Sequence, residues 1–255
     1  MANYDGFRLE VNGARADIVL DRPPLNVISF PERTQIRECI ESLDENAEVR
    51  VIVLRSEGQH FSSGGDIRGF LEASPEAVSE LADNVAAPER CTKPVIAAIR
   101  GYCFGVGFEL SLACDFRIAS ETAEFALPEM RIGMIPGSGG SARLLSMIGI
   151  ARTKDMVMRS RRVPGRQAEA WGFVTECVPD GELEGVVDKL VGELVSFSPL
   201  AQRTMKRVLN HGQNLSVHGA IELEGGAYGR LRSSDDFREG VEAFFEKRKP
   251  VWKGR

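Results

Sequence analysis

Three glycine-rich segments are where this chain could do chemistry: Phe61-Ser62-Ser63-Gly64-Gly65-Asp66-Ile67, Gly101-Tyr102-Cys103-Phe104-Gly105-Val106-Gly107-Phe108-Glu109-Leu110, and the stretch from Pro128-Glu129-Met130 to Gly137-Ser138-Gly139-Gly140. Each follows a short apolar run. Glycine after a strand lets main chain approach a ligand closely, and free amides at a helix start form an anion site. Taken singly, each segment reads as a tight turn. On residue type alone, Glu109 and Glu129 read as surface carboxylates, the usual fate of glutamate. Gly137-Ser138-Gly139-Gly140-Ser141-Ala142 fits G-x-G-x-x-A, a dinucleotide fingerprint, but helical patterns rather than a βαβ unit follow it. His60 near Ser62 and Ser63 raises a serine hydrolase, yet there is no G-x-S-x-G and no evident partner acid.

The elements that must hold these segments alternate. Residues 17–20, 51–54, 95–99 and 116–119 are short apolar runs, broken only by Asp17 and Arg117, the pattern of strands buried on both faces. Residues 32–43 carry Ile36, Ile40 and Leu43 at helical spacing, and residues 75–90 read as one helix opening on Pro75. Alternating strands and helices give an α/β class. Beyond about residue 180 the pattern is helix after helix. The last of these starts near Ser234, with Asp235 and Asp236 in its first turn and Lys247, Arg248 and Lys249 at its end. Its stripe of Phe237, Val241, Phe244 and Phe245 is too apolar to stay wet, so the tail is expected to pack on the core or on another subunit.

Composition sets outer limits. The chain has 255 residues and a net charge of −5, which argues against general nucleic-acid binding. No apolar run reaches the roughly 20 residues a bilayer span needs, and the N-terminus lacks a signal-peptide pattern, so a cytoplasmic protein with no membrane partner is expected. Five widely spaced cysteines without a C-x-x-C pair read as reduced, mostly buried thiols. Three histidines with no H-x-x-x-H spacing give no expectation of a metal site.

Together the three segments resemble the crotonase (enoyl-CoA hydratase/isomerase) superfamily, in its order and spacing. Asp21-Arg22-Pro23-Pro24-Leu25-Asn26, Thr92-Lys93-Pro94-Val95-Ile96-Ala97-Ala98, Ala170-Trp171-Gly172-Phe173-Val174 and Phe244-Phe245-Glu246-Lys247-Arg248-Lys249-Pro250 extend the resemblance over nearly the whole chain. Within it, Gly107-Phe108-Glu109-Leu110, Leu127-Pro128-Glu129 and Lys247-Arg248-Lys249-Pro250-Val251-Trp252-Lys253-Gly254 resemble enoyl-CoA hydratases and carnitinyl-CoA dehydratases.

The resemblance implies a spiral of ββα turns over residues 1–195 and a C-terminal helical oligomerisation segment over 196–255, giving a homotrimer or a dimer of trimers. It implies an oxyanion hole made by the amides of Gly65 and Val106, and a catalytic pair, Glu109 and Glu129, that adds water to a 2-enoyl-CoA. Retention of both glutamates favours hydration, since isomerases and thioesterases of the superfamily often lack one. An isomerase and a non-catalytic CoA-binding scaffold are the alternatives. Phe108, Leu127 and Ile135 are expected to line the carboxyls and raise a pKa by desolvation. Leu25, Ser63, Gly65, Asp66, Ile67 and Arg68 match the loop beside coenzyme A. Tyr228, Phe244 and Lys247 match residues that close over the nucleotide, in some members from a neighbouring subunit. Coenzyme A enters as part of the substrate, and no further cofactor is implied. Val106 stands where a glycine is usual, and Gly65 where alanine is common.

Overall fold

The computed structural model describes residues 2–255. Seven strands form one sheet: β1 (Ala2–Asn3), β2 (Phe7–Asn12), β3 (Arg15–Leu20), β4 (Val51–Ser56), β5 (Val95–Ile99), β7 (Phe116–Ser120) and β10 (Glu176–Val178), hydrogen-bonded in that order. β1 through β3 pair antiparallel, and from β3 to β10 every pairing is parallel. A second layer holds β6 (Tyr102–Phe104), β8 (Glu124–Ala126) and β9 (Val163–Pro164). Isolated bridges Ser62↔Cys103 and Ile28↔Gly65 extend it. The chain therefore runs through the first sheet, turns a corner, crosses the second layer and returns, four times over. This is the spiral that the resemblance implies.

The apolar runs are explained by which side each residue faces. In β4, Ile52 and Leu54 join the core inside the spiral, while Val51 and Val53 join a second core. That second core is capped by Leu183, Val187, Val191 and Leu194 of helix α9 (Leu183–Ser196). Both faces are covered, so period-2 alternation never appears. The first corner is tied by Asn26, whose Nδ2 donates to the carbonyls of Glu57 (2.9 Å) and His60 (2.7 Å) while its Oδ1 accepts from the Arg22 amide (2.8 Å).

Helix α1 (Phe30–Glu45) opens on a capping box between Ser29 and Glu32. Residues 75–90 differ from expectation. They form three short helices, α3 (Pro75–Ser79), α4 (Leu81–Val85) and α5 (Ala87–Arg90), preceded by α2 (Ile67–Glu72). Pro88 has no N–H to give and its ring clashes with the carbonyl four residues back, so a continuous helix breaks at Ala86. Then come α6 (Val106–Ala113), α7 (Gly140–Met158) and α8 (Gly165–Trp171).

The tail forms α10 (Pro199–Gly212), α11 (Val217–Leu231) and α12 (Asp235–Glu246). Buried Lys206 anchors it to the core, donating to the carbonyls of Pro88 (2.7 Å) and Lys93 (2.9 Å) and pairing with Asp115 (2.7 Å). Asp236 gathers the Ser198 hydroxyl and the amides of Lys253 and Gly254. The tail thus packs partly on the core as expected, but Phe244 and Phe245 of its apolar stripe stay 79% and 77% exposed on this chain. All five cysteines are free and buried. Among the described residues no helix is long and apolar enough to cross a membrane.

Candidate active site

Gly105 turns the chain from β6 into α6 at φ 51° and ψ −128°, a conformation only glycine takes without strain. The turn leaves Val106 at the first helical position, where an amide has no intrahelical acceptor. Across from it, the Ile28 amide bonds to the Gly64 carbonyl (3.0 Å) and the Asp66 amide to the Ile28 carbonyl (3.3 Å), which skips the Gly65 amide between them. Neither the Gly65 nor the Val106 N–H meets an acceptor among the described residues. The two segments touch: a Cβ placed on Gly65 would lie 3.7 Å from Val106 Cγ1, and one on Gly64 would lie 3.9 Å from Gly105 Cα. The Val106 side chain therefore packs on the Gly65 side of the turn.

Glu109 is one turn into α6 and 3% exposed. Its Oε1 accepts from the Ser138 amide (2.8 Å) and the Gly140 amide (3.1 Å) at the start of α7. This explains the third glycine-rich segment. Its amides do form an anion site, and the anion is an internal carboxylate rather than a dinucleotide phosphate. A side chain on Gly140 would come 2.9 Å from Glu109 Cγ and 3.0 Å from Leu127 Cδ1, so the close approach excludes one.

Glu129 opens the 3-10 turn Glu129–Ile132. Its Oε1 sits 3.2 Å from where a Cβ on Gly105 would be, and its Oε2 is buried with no hydrogen-bond partner. Burial, reinforced by the negative charge of Glu109, pushes its pKa up to about 7. The expected desolvation is present. Phe108 faces the core, tilted against Phe125 and Phe173 at 5.2 and 5.5 Å, because the helical turn aims it away from Glu109. Ile135 is 66% exposed. Leu127 lies beside Glu109, both coming within 3.1 Å of where a Cβ on Gly140 would stand.

Of the residues matched to coenzyme A, the second-layer crossing gathers those from the N-terminal half. The Ser63 amide bonds to the Leu25 carbonyl (2.8 Å), and Asp66 caps α2 by accepting from the Arg68 amide (3.1 Å). Ile67 and Arg68 are exposed beside them. Tyr228, Phe244 and Lys247 are exposed on the C-terminal helices, and no hydrogen bond, ion pair or ring contact joins them to the 63–68 loop of this chain. The serine-hydrolase reading fails on geometry. His60 stacks on Tyr102 at 4.0 Å and accepts the Tyr102 amide, while buried Ser62 donates to the Asn26 carbonyl.

Sequence reasoning missed Arg33. Its guanidinium is buried against Phe30 and Phe70, and Nη2 lies 2.5 Å from where a Cβ on Gly65 would stand. No periodic or motif signal sets this arginine apart from its neighbours on α1. Missed too were the amides of Ser138 and Gly140, which read as a fingerprint for a ligand of the wrong kind.

The strand layers thus form a spiral in which the acceptor-free amides of Gly65 and Val106 share a region with buried Glu109 and half-buried Glu129. The chain belongs to the enoyl-CoA hydratase/isomerase family, whose model matches residues 10–255. It is 36% identical to a carnitinyl-CoA dehydratase of Salmonella agona over 266 aligned positions, spanning 98% of this chain and 99% of that protein. Its fold is similar to the crystal structure of an enoyl-CoA hydratase from Bacillus anthracis, with TM-score 0.93, 33% identity and coverage of 98% and 100% of the two chains. Pseudomonas aeruginosa DspI is similar as well, with TM-score 0.92, 31% identity and coverage of 99% and 98%.

Proposed function

We propose that this protein is an enoyl-CoA hydratase that adds water reversibly across the conjugated double bond of a 2-enoyl-CoA. The observation that carries the reading is two acceptor-free amides near two carboxyls held in unlike environments, Glu109 buried and hydrogen-bonded, Glu129 half-buried with an unpartnered Oε2. Family membership and the carnitinyl-CoA dehydratase relatives support it.

The amides of Gly65 and Val106 donate to the thioester oxygen. Glu109, fixed through Oε1 by the Ser138 and Gly140 amides, takes a proton from water at its other oxygen. The water oxygen bonds to Cβ, the π pair shifts to form an enolate, and its charge falls on the oxygen that the amides hold. Protonated Glu129 then delivers its proton to Cα and the thioester carbonyl reforms. The carboxyl pair carries one proton before and after, so the step balances without an oxidant, a reductant or a metal. Glu129 suits the acid role because burial keeps its proton on to about pH 7.

Leu25, Ser63, Asp66, Ile67 and Arg68 line the coenzyme A path. Residues 1–195 carry the chemistry, and 196–255 bring Tyr228, Phe244 and Lys247 to a neighbouring subunit's nucleotide in a homotrimer. The exposed Phe244 and Phe245 support that last step, as faces of this size rarely stay in water.

Val106→Pro tests the oxyanion assignment. Proline is tolerated at the first helical position and removes the N–H, and Val106→Ala, which keeps the N–H, controls for the lost side chain. Hydration kcat is expected to fall about 10²–10³-fold with melting temperature little changed. An undiminished kcat in a folded variant would remove Val106 from the mechanism.

A further inference from the structure

Arg33 is 4% exposed at the start of α1, and its Nε has no hydrogen-bond partner. No hydrogen bond or ion pair engages its guanidinium among the described residues. The groups that touch it are rings: its Cζ is 5.0 Å from the Phe30 centroid and 5.6 Å from that of Phe70. Ring faces attract a cation but supply no acceptor oxygen. The two carboxylates whose fields reach it are committed elsewhere. Glu109 is held by the Ser138 and Gly140 amides, and Glu32 by the Ser29 amide (3.4 Å) and Arg22 (3.7 Å). Burial lowers the guanidinium's pKa only to about 10, so it is charged at neutral pH.

A buried charge without an acceptor or counter-ion opposes folding, and a chain keeps one where something else will meet it. Nη2 points at Gly65, the donor proposed for the thioester oxygen. A methyl on Gly65 would stand 2.5 Å from that nitrogen. Glycine here, in place of the alanine common at this position, leaves room for the guanidinium beside the acyl group.

We propose that Arg33 binds a carboxylate carried by the acyl group, so that the preferred substrate is the CoA thioester of a short unsaturated dicarboxylic acid. The proposal rests on the enoyl-thioester reading of Gly65 and Val106. Because Nη2 lies beside Gly65 itself, a carboxylate that meets it sits close to the thioester, which selects a short acyl chain. An acyl group carrying a cation would meet like charge at this point.

The test compares glutaconyl-CoA with trans-2-pentenoyl-CoA, which share length and conjugation and differ in a terminal carboxylate against a methyl. The wild type is expected to favour glutaconyl-CoA in kcat/KM by at least about tenfold, and Arg33→Met to lower that ratio by about 10–100-fold, the scale of buried charge-assisted hydrogen bonds. Arg33→Lys, a point charge on a similar stem, should fall between; it and Arg33→Gln carry the same ratio if the methionine variant does not fold. A general catalytic or structural role for Arg33 would slow both substrates alike and leave the ratio unmoved. A ratio unmoved by the substitution, or a wild type that favours pentenoyl-CoA, overturns the proposal while leaving hydration standing. If neither thioester is hydrated, calorimetry with glutaryl-CoA and pentanoyl-CoA separates the two readings. An Arg33-dependent preference for glutaryl-CoA upholds the carboxylate site though hydration falls; equal binding sinks the site as well.

Discussion

Glu129→Gln is expected to lower hydration kcat by roughly 10²–10⁴-fold, with a much smaller change in KM. The glutamine fills the same space but has no proton to deliver to Cα. The pH dependence should change with it. The reaction takes up no net proton, so hydration and dehydration must share one kcat/KM profile, set by the carboxyl pair carrying a single proton. In the wild type that profile falls above about pH 7, where Glu129 loses its proton. In Glu129→Gln this descending limb should vanish from whatever activity remains. Stability supplies an independent readout. A carboxyl whose folded pKa is raised contributes stability that is fully present below its unfolded pKa of about 4.5 and is lost as pH rises through about 7. The melting temperature of Glu129→Gln relative to wild type should therefore be higher at pH 8 than at pH 4.5. A wild-type profile flat through pH 7, or a variant of normal rate, would contradict the assignment.

Glu109→Gln is expected to cost a similar factor, roughly 10²–10⁴ in kcat, by a different route. Its amide oxygen can still accept from Ser138 and Gly140, so the turn into α7 survives. What is lost is the base that takes a proton from water. Loss of the Glu109 charge should also lower the Glu129 pKa, because that charge is part of what raises it. Glu109→Ala should lower the melting temperature as well, since it strands two buried amides, at roughly 1–3 kcal/mol each. The double variant Glu109→Gln/Glu129→Gln should lose far less than the product of the single losses, because the two groups act as one unit. Strictly multiplicative losses, measured by initial rates on the same enoyl-CoA, would mean the pair does not share a proton.

The strands were legible because Val51-Ile52-Val53-Leu54 and its counterparts leave no polar face, and only a sheet covered on both sides needs that. The C-terminal helices were legible from caps such as Ser234 with Asp235 and Asp236. Two failures have physical causes. Residues 75–90 carry helical spacing, but Pro88 breaks a helix that periodicity alone cannot see breaking. Phe108 is adjacent in sequence to Glu109 yet points away from it, since neighbours on a helix lie about 100° apart.

At the site, residue types alone left Glu109 and Glu129 as surface carboxylates, and only the family pattern lifted them from that reading. The third glycine segment looked like a phosphate cradle because the same geometry, amides at a helix start, serves any anion. Arg33 was illegible because its meaning lies in what it lacks. An arginine on an amphipathic helix is normally a solvated charge; this one is set apart by burial between Phe30 and Phe70 and by the bare Cα of Gly65. None of those neighbours is near it in a helical repeat except Phe30.

The central claim is tested most directly by following isotopes through one turnover. A 2-enoyl-CoA incubated with the protein in ¹⁸O-labelled heavy water should lose its conjugated absorbance and give a 3-hydroxyacyl-CoA carrying one solvent oxygen at Cβ and one solvent deuterium at Cα. Exchange of hydrogen without oxygen uptake, or an intact enoyl-CoA across acyl chains both neutral and carboxylated, would contradict hydration at this site.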